Sequence, residues 1–219
     1  VLTKETKEKI EPLKKPNMAV EECIREYAVP DRFCPQVHLL SNGVYSTMLT
    51  DDGSGWSRYD DVLVNRWRYQ AANRSFGHFI YLRDVGSGRW WTNTYAPSYQ
   101  KCDQYRAVFS PSKAEYFRRD GSVETITEVY IGTEDNSEIR NVCLINHGEE
   151  EAVIEATSYL EPLLARYEAE VAHPAFLNLF VRTEFLDSSN ALLAIRRPRG
   201  ASEQELFMVE SVACSQEPA

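Results

Sequence analysis

Several features that announce a function are missing from this sequence. No apolar run approaches the length of a membrane span, and the opening VLTKETKEKI has no secretory core. Cys23, Cys34, Cys102, Cys143 and Cys214 are scattered, odd in number and free of CxxC spacing. That excludes a disulfide framework and predicts free thiols in a reducing, cytoplasmic compartment. Basic residues are too few for a polyanion surface. With 24 Lys and Arg against 33 Asp and Glu the net charge is −9, so no nucleic-acid partner is expected. His38, His78, His147 and His173 lie far apart, and none forms an HxH or HxxxH pattern, so no metal site is expected. There is no GxSxG and no phosphate loop. The GSG of Gly53–Gly55 is followed by polar and aromatic residues, not by a helix. No carboxylate pair stands out either. The acids at Glu149–Glu151 and around Glu115–Gly121 read as solvated hairpin ends. No catalytic residue and no cofactor is therefore nominated from spacing.

What is present is strand pattern. The 219 residues are 43% hydrophobic and 26% charged, enough for one sizeable core without disulfide staples. Residues 1–33 read as an N-terminal arm. KETKEKIEPLKK is charged and broken by proline, and the spacing of Met18, Cys23, Ile24 and Tyr27 predicts a short helix closed by Pro30. The chain opens on Val1 and closes on SVACSQEPA, and both ends read as cut from something longer. Residues 34–219 read as β. Hairpins are predicted at Asn42-Gly43, at Gly86-Ser87-Gly88 and at Asp120-Gly121. A fourth is predicted through Asn146–Glu149, and FLNLFVRTEFLD with NALLAIRRPR gives a fifth. Consecutive hairpins with few helical stretches imply an all-β, antiparallel fold, and the strand lengths favour a sandwich over a small barrel.

One third of the chain concentrates aromatics and arginines. Trp56, Tyr59, Trp67, Trp90, Trp91, Tyr95 and Tyr99 are accompanied by Arg58, Arg66 and Arg68. One reading is structural: Trp67 and one of Trp90 and Trp91 belong to the core, and the arginines cap strand ends. By alternation Trp90 and Trp91 face opposite sides, so one is exposed. The other reading is a polyol-binding surface, where aromatic faces cover a sugar ring and Arg, Asp and Asn bind its hydroxyls. Residue types leave both open. Asp51 and Asp52 read as turn residues.

The order of segments adds a resemblance. SNGVYSTMLTDDGSGWSRYDDVLVNRWR, GHFIYLRDVGSGRWWTNTYAP, RRDGSVETITEVYIGTEDNSEIRNVCLINHG, SYLEPLLA and AHPAFLNLFVRTEF occur in this order between Cys34 and Phe185. Together they resemble the N-terminal β-sandwich domain of glycoside hydrolase family 94. The likeness is closest to the phosphorylase region of cyclic β-1,2-glucan synthases and to 1,2-β-oligoglucan phosphorylases. The resemblance implies a galactose mutarotase-like supersandwich that precedes linker helices and a catalytic α/α barrel. It implies inverting phosphorolysis of a β-glucan oligosaccharide, with inorganic phosphate as co-substrate and the general acid in the barrel. This chain would then be inactive alone, would support the barrel and could form a homodimer. It would send two loops toward the acceptor: Gly55, Trp56, Ser57, Arg58 and Tyr59, and the segment of Ala172, His173, Pro174, Ala175, Phe176 and Asn178. A synthase parent would place the region on the cytoplasmic side of the inner membrane. Two alternatives are a free-standing carbohydrate-binding module and a structural dimerisation or docking domain.

Overall fold

A computed structural model describes residues 23–28, 30, 34–68, 76–200 and 203–215. The first strands are β1 (Arg25–Tyr27), β2 (Val37–Ser41), β3 (Tyr45–Thr50), β4 (Gly55–Tyr59) and β5 (Val62–Asn65). Next come β6 (His78–Asp84), β7 (Trp90–Thr92), β8 (Gln104–Ser110), β9 (Lys113–Asp120) and β10 (Val123–Ile131). They are followed by β11 (Glu138–Asn146), β12 (Ile154–Leu160) and β13 (Pro162–Arg166). Two short helices, α1 (Tyr167–Ala172) and α2 (Pro174–Leu177), precede β14 (Val181–Leu186), β15 (Ala191–Arg196) and β16 (Leu206–Ser211). Every strand pairing among the described residues is antiparallel.

The strands form four sheets, ordered β1-β8-β9-β10-β11, β13-β5-β4-β3-β2, β12-β6-β7 and β14-β15-β16. The two five-stranded sheets bury their facing sides together. Leu40 and Leu49 of one meet Ala107, Phe109, Ala114, Tyr116 and Val129 of the other. Period-two alternation on β10 places Thr125, Thr127 and Val129 inside. The buried threonines are not orphaned: Trp91 Nε1 donates to Thr125 Oγ1 at 3.3 Å, and Asn93 Nδ2 to Thr127 Oγ1 at 3.2 Å. Trp91 is buried and Trp90 exposed, as alternation requires.

Local turn chemistry explains the hairpins. Asn42 Oδ1 accepts from the backbone N–H of Val44 and Tyr45, and Gly43 takes φ of 98°, open to glycine at no steric cost. The Asn42 amide also donates to Gly132 O and Asp135 O, pinning this hairpin to the loop after β10. The hairpins predicted at Gly86–Gly88 and Asp120-Gly121 form, and so does the β14–β15 pair.

Three expectations are corrected. The predicted helix over residues 18–28 lies partly outside the described residues, and Arg25–Tyr27 is a strand paired with β8. Tertiary contacts override the helical spacing there: Tyr27 packs on Phe109 at 5.6 Å, and Arg25 donates to Val37 O. The predicted fourth hairpin does not close, because β12 pairs with β6 instead of β11. Asn146 redirects the chain by accepting from Gly148 N and donating to Glu150 O. Ile154 then packs against Leu82, Trp91 and Val123. Finally, the FLNLF part of the fifth run is helical, and only Val181–Leu186 is strand.

His38 locks β1 in place. Its ring stacks on Phe109 at 4.9 Å, and Nδ1 lies 3.0 Å from Arg25 Nη2, so Nδ1 accepts and Nε2 carries the proton. Burial and the Arg25 charge hold its pKa below the ordinary 6.5. The unfolded chain therefore binds a proton more readily than the folded one. The contribution is intact above pH 6.5 and is lost progressively as pH falls from there toward the folded value. Urea midpoints of the wild type should fall across this acid window more steeply than those of His38→Gln. Parallel pH profiles would overturn the assignment.

Candidate functional site

The site grows from the turn that launches β4. Asp52 Oδ1 accepts from Thr50 Oγ1 at 2.5 Å and from Ser54 N at 2.9 Å, closing the turn, while Asp51 Oδ1 accepts from Gln36 N at 3.1 Å. Both acids are buried turn residues. Gly53 has φ of 90°, and a Cβ there would sit 2.3 Å from the Thr94 side chain. The expected loop of Gly55–Tyr59 is corrected: it is strand β4, paired with β3 from Leu49↔Gly55 to Tyr45↔Tyr59. The glycine permits this pairing, since a Cβ at Gly55 would lie 2.1 Å from Met48 O.

Strand alternation then divides the segment. Gly55 and Ser57 point into the sandwich and are buried. Ser57 N donates to Asn65 Oδ1 at 2.6 Å, and Ser57 Oγ to Glu138 Oε2 at 2.5 Å. Tyr59 shares their parity but lies at the strand end, where it is exposed. Trp56 and Arg58 point outward. They enter a groove of about 500 Å³ lined also by Asp61, Leu63, Trp67, Arg166, Tyr167 and Glu168. Trp56 and Trp67 are backed by Leu63, Leu163, Ala165 and Leu177, so their rings are held rather than free to turn. At the rim Arg166 Nη2 meets Asp61 Oδ2 at 2.7 Å, with both side chains open to solvent. Tyr167 is exposed beside them. Two fixed indoles, a tyrosine, two guanidiniums and two carboxylates suit a polyhydroxylated ring: apolar faces cover its C–H surface and the charged groups bind its hydroxyls.

The other predicted residues meet at the back of this groove. Arg66 and Arg68 converge on Glu170, which is fully buried. Arg68 Nη2 lies 2.6 Å from Glu170 Oε1, and Arg66 Nε lies 3.2 Å from the same oxygen. Arg66 also pairs with Glu161 at 3.3 Å and donates to Pro174 O and Asn178 Oδ1. These arginines thus tie the α1–α2 turn to the end of β5. His173 joins the two helices and is exposed, and Phe176 is exposed with its ring edge-on to Phe180 at 5.2 Å. Leu177 anchors this turn in the apolar cluster behind Trp56 and Trp67. The two predicted segments therefore share one core, although only Trp56 and Arg58 line the groove. Sequence reasoning missed Asp61, Arg166, Tyr167, Glu168 and Glu170. The available signal was the Arg-Tyr dipeptide recurring at Arg58-Tyr59 and Arg166-Tyr167, two segments that flank β5 with Val62 opposite both Tyr59 and Arg166.

A second polar group lies inside the sandwich. Glu138 accepts from Arg140 Nε at 2.7 Å, from Ser57, and from Tyr45 OH at 3.4 Å. Burial pushes its carboxyl up, but Arg140, His78 and Ser57 outweigh this and hold it below the ordinary range. It stays ionised at neutral pH and is unsuited to proton donation. Among the described residues no group of three His, Cys, Asp or Glu is placed to hold a metal ion.

Fold and groove together define a large antiparallel β-sandwich domain with an aromatic-lined outer face. The chain belongs to the glycosyl hydrolase 94 supersandwich-domain family, whose profile matches residues 20–218. It is 36% identical over 174 residues to the cyclic beta-(1,2)-glucan synthase NdvB of Rhizobium meliloti (strain 1021), covering 80% of this chain and 6% of the relative. It is also similar to the N,N'-diacetylchitobiose phosphorylases of Vibrio proteolyticus and Vibrio furnissii. The identities are 26% and 28%, over 63% of this chain and 18% of each relative. The chain thus spans a small fraction of the length of these relatives.

Proposed function

We propose that this domain is a non-catalytic part of a β-glucan-acting synthase or phosphorylase, holding a β-glucan oligosaccharide in the groove around Trp56 and supporting a catalytic α/α barrel. The single observation that carries the reading is the groove itself, with Trp56 and Trp67 fixed from behind and flanked by Arg58, Asp61, Arg166 and Glu168. Its position next to the exposed His173–Phe176 turn suits an acceptor subsite completed by another part of the enzyme. Docking of that part is supported by exposed apolar side chains at Val171, Leu179, Phe207 and Val209. Inorganic phosphate would then be a co-substrate of the whole enzyme rather than of this domain. The unpaired state of all five cysteines supports a reducing compartment.

Calorimetry with β-1,2-linked glucooligosaccharides tests the binding reading. The wild-type domain should bind, and Trp56→Ala should weaken binding by about tenfold or more, the loss of one stacked ring. Tighter binding of N,N'-diacetylchitobiose would move the assignment to an amino-sugar substrate. Absence of heat with every glucan would overturn the groove as a site. In the same samples, phosphate and glucan should yield no glucose 1-phosphate, and stoichiometric release would overturn the non-catalytic assignment.

A further inference from the structure

In a chain of net charge −9 one local cluster is strongly positive. The run Arg196, Arg197, Pro198, Arg199 leaves the end of β15 and wraps the ring of Phe180. The guanidinium carbons lie 5.5, 5.2 and 5.8 Å from the ring centroid for Arg196, Arg197 and Arg199. A ring has two faces, so at least two of the three like charges share one. The aromatic face attracts each cation but does not cancel their mutual repulsion. Arg196 is only 6% exposed, and its Nη1 is buried without a hydrogen-bond partner. Burial lowers its pKa, Glu203 opposes that and Arg199 adds to it. Glu203 is occupied elsewhere: its Oε2 accepts from the backbone N–H of Arg199 at 2.8 Å, and Oε1 stands 3.8 Å from Arg199 Nε. It offsets one of the three charges. Two positive charges remain among guanidiniums that all lie within 5.8 Å of one ring centroid.

We propose that Arg196, Arg197 and Arg199 around Phe180 form a binding site for a phosphate dianion, distinct from the sugar groove. Arg197 and Arg199 are exposed and supply the direct hydrogen bonds. Buried Arg196 supplies a fixed charge that solvent does not screen. A dianion matches the residual charge. A tetrahedral oxyanion also accepts from several guanidiniums at once, whereas a lone carboxylate satisfies one fork. The group is either free phosphate or the phosphoryl end of a sugar phosphate.

Arginine Nε–H spectra of the domain, titrated at constant ionic strength, test the site. Inorganic phosphate and glucose 1-phosphate are added in separate series, with sodium chloride as the control. Saturable shifts of the Arg197 and Arg199 signals are expected with phosphate, absent with chloride. A tighter response to glucose 1-phosphate would assign the site to a phosphoryl ester, and an equal or weaker one to the free ion. Arg197→Gln with Arg199→Gln, both at the surface, should abolish saturation while leaving the urea midpoint unchanged. Arg196→Met should weaken binding by at least about tenfold, a lower bound for removing one unit charge beside a dianion at near-surface dielectric. Linear shifts shared with chloride, or full affinity in the double variant, would overturn the proposal.

Discussion

Glu170→Ala is expected to destabilise the domain by about 3–5 kcal/mol, the cost of removing one member of a buried ion pair. Glu170 is fully buried, accepts from Arg68 Nε at 2.7 Å and stands 3.2 Å from Arg66 Nε as its counter-charge. Without it, two guanidiniums approach one another with no anion between them. Arg66, whose side chain is 10% exposed, has nowhere to reach water in place of the lost partner. The damage extends past the pair. Arg66 also holds Pro174 O and Asn178 Oδ1, so its displacement frees the turn that carries His173 and Phe176. Urea unfolding should show a lowered midpoint with an unchanged slope. Glu168→Ala is the control, because that side chain lies at the open groove beside Tyr167. A midpoint for Glu170→Ala no lower than for Glu168→Ala would refute the role given to the triad. Replacing all three members with apolar residues of similar volume should recover much of the loss, since the penalty comes from the stranded charges.

How far such features could be read in advance depends on how local they are. Asn42-Gly43 and Asp120-Gly121 announce their hairpins because the deciding interactions lie within a few residues. Trp90 and Trp91 divide as alternation says, since the pleat is a property of the strand alone. The family was legible for the same reason on a larger scale: several such segments stand in a fixed order. Partner choice is different. Strand β12 continues past β11 to the open edge of β6, a decision made by Ile154 meeting Leu82, Trp91 and Val123. Nothing in the Asn146–Glu149 turn encodes that. The site shows the same limit. Trp56 and Arg58 were visible as residue types, but Arg68 and Glu170 are 102 positions apart and meet only in the fold. The loop that the resemblance implied for Gly55–Tyr59 is strand here. In fact Gly55 admits the carbonyl of Met48 at a distance that no side chain tolerates.

The second large effect is expected at Arg118. This side chain is 1% exposed and grips Asp120 with both edges, Nε to Oδ2 at 2.6 Å and Nη2 to Oδ1 at 3.0 Å. It also donates to Thr94 O at 2.9 Å and to Gln100 O at 3.4 Å. Arg118→Leu would leave a buried carboxylate and the Thr94 carbonyl without these donors, at a cost of about 3–5 kcal/mol. Arg118→Lys should recover only part of this, because an ammonium cannot reproduce the fork. The loss should reach the groove. Thr94 abuts Gly53, and Ala96 N donates to Asp52 O at 2.8 Å, so the segment Arg118 holds is the bed on which the Asp51–Ser54 turn rests. That turn sets where β4 begins, and with it the positions of Trp56 and Arg58. Glucooligosaccharide affinity in Arg118→Lys should therefore fall, although position 118 is remote from the ligand. Arg118→Leu with Asp120→Leu separates the two contributions. It removes the stranded charge and should regain stability, but it does not restore the donor to Thr94 O, so affinity should stay low. Full recovery of both properties would show that Arg118 serves Asp120 alone. Recovery of stability only would show that the buried arginine also shapes the site from beneath.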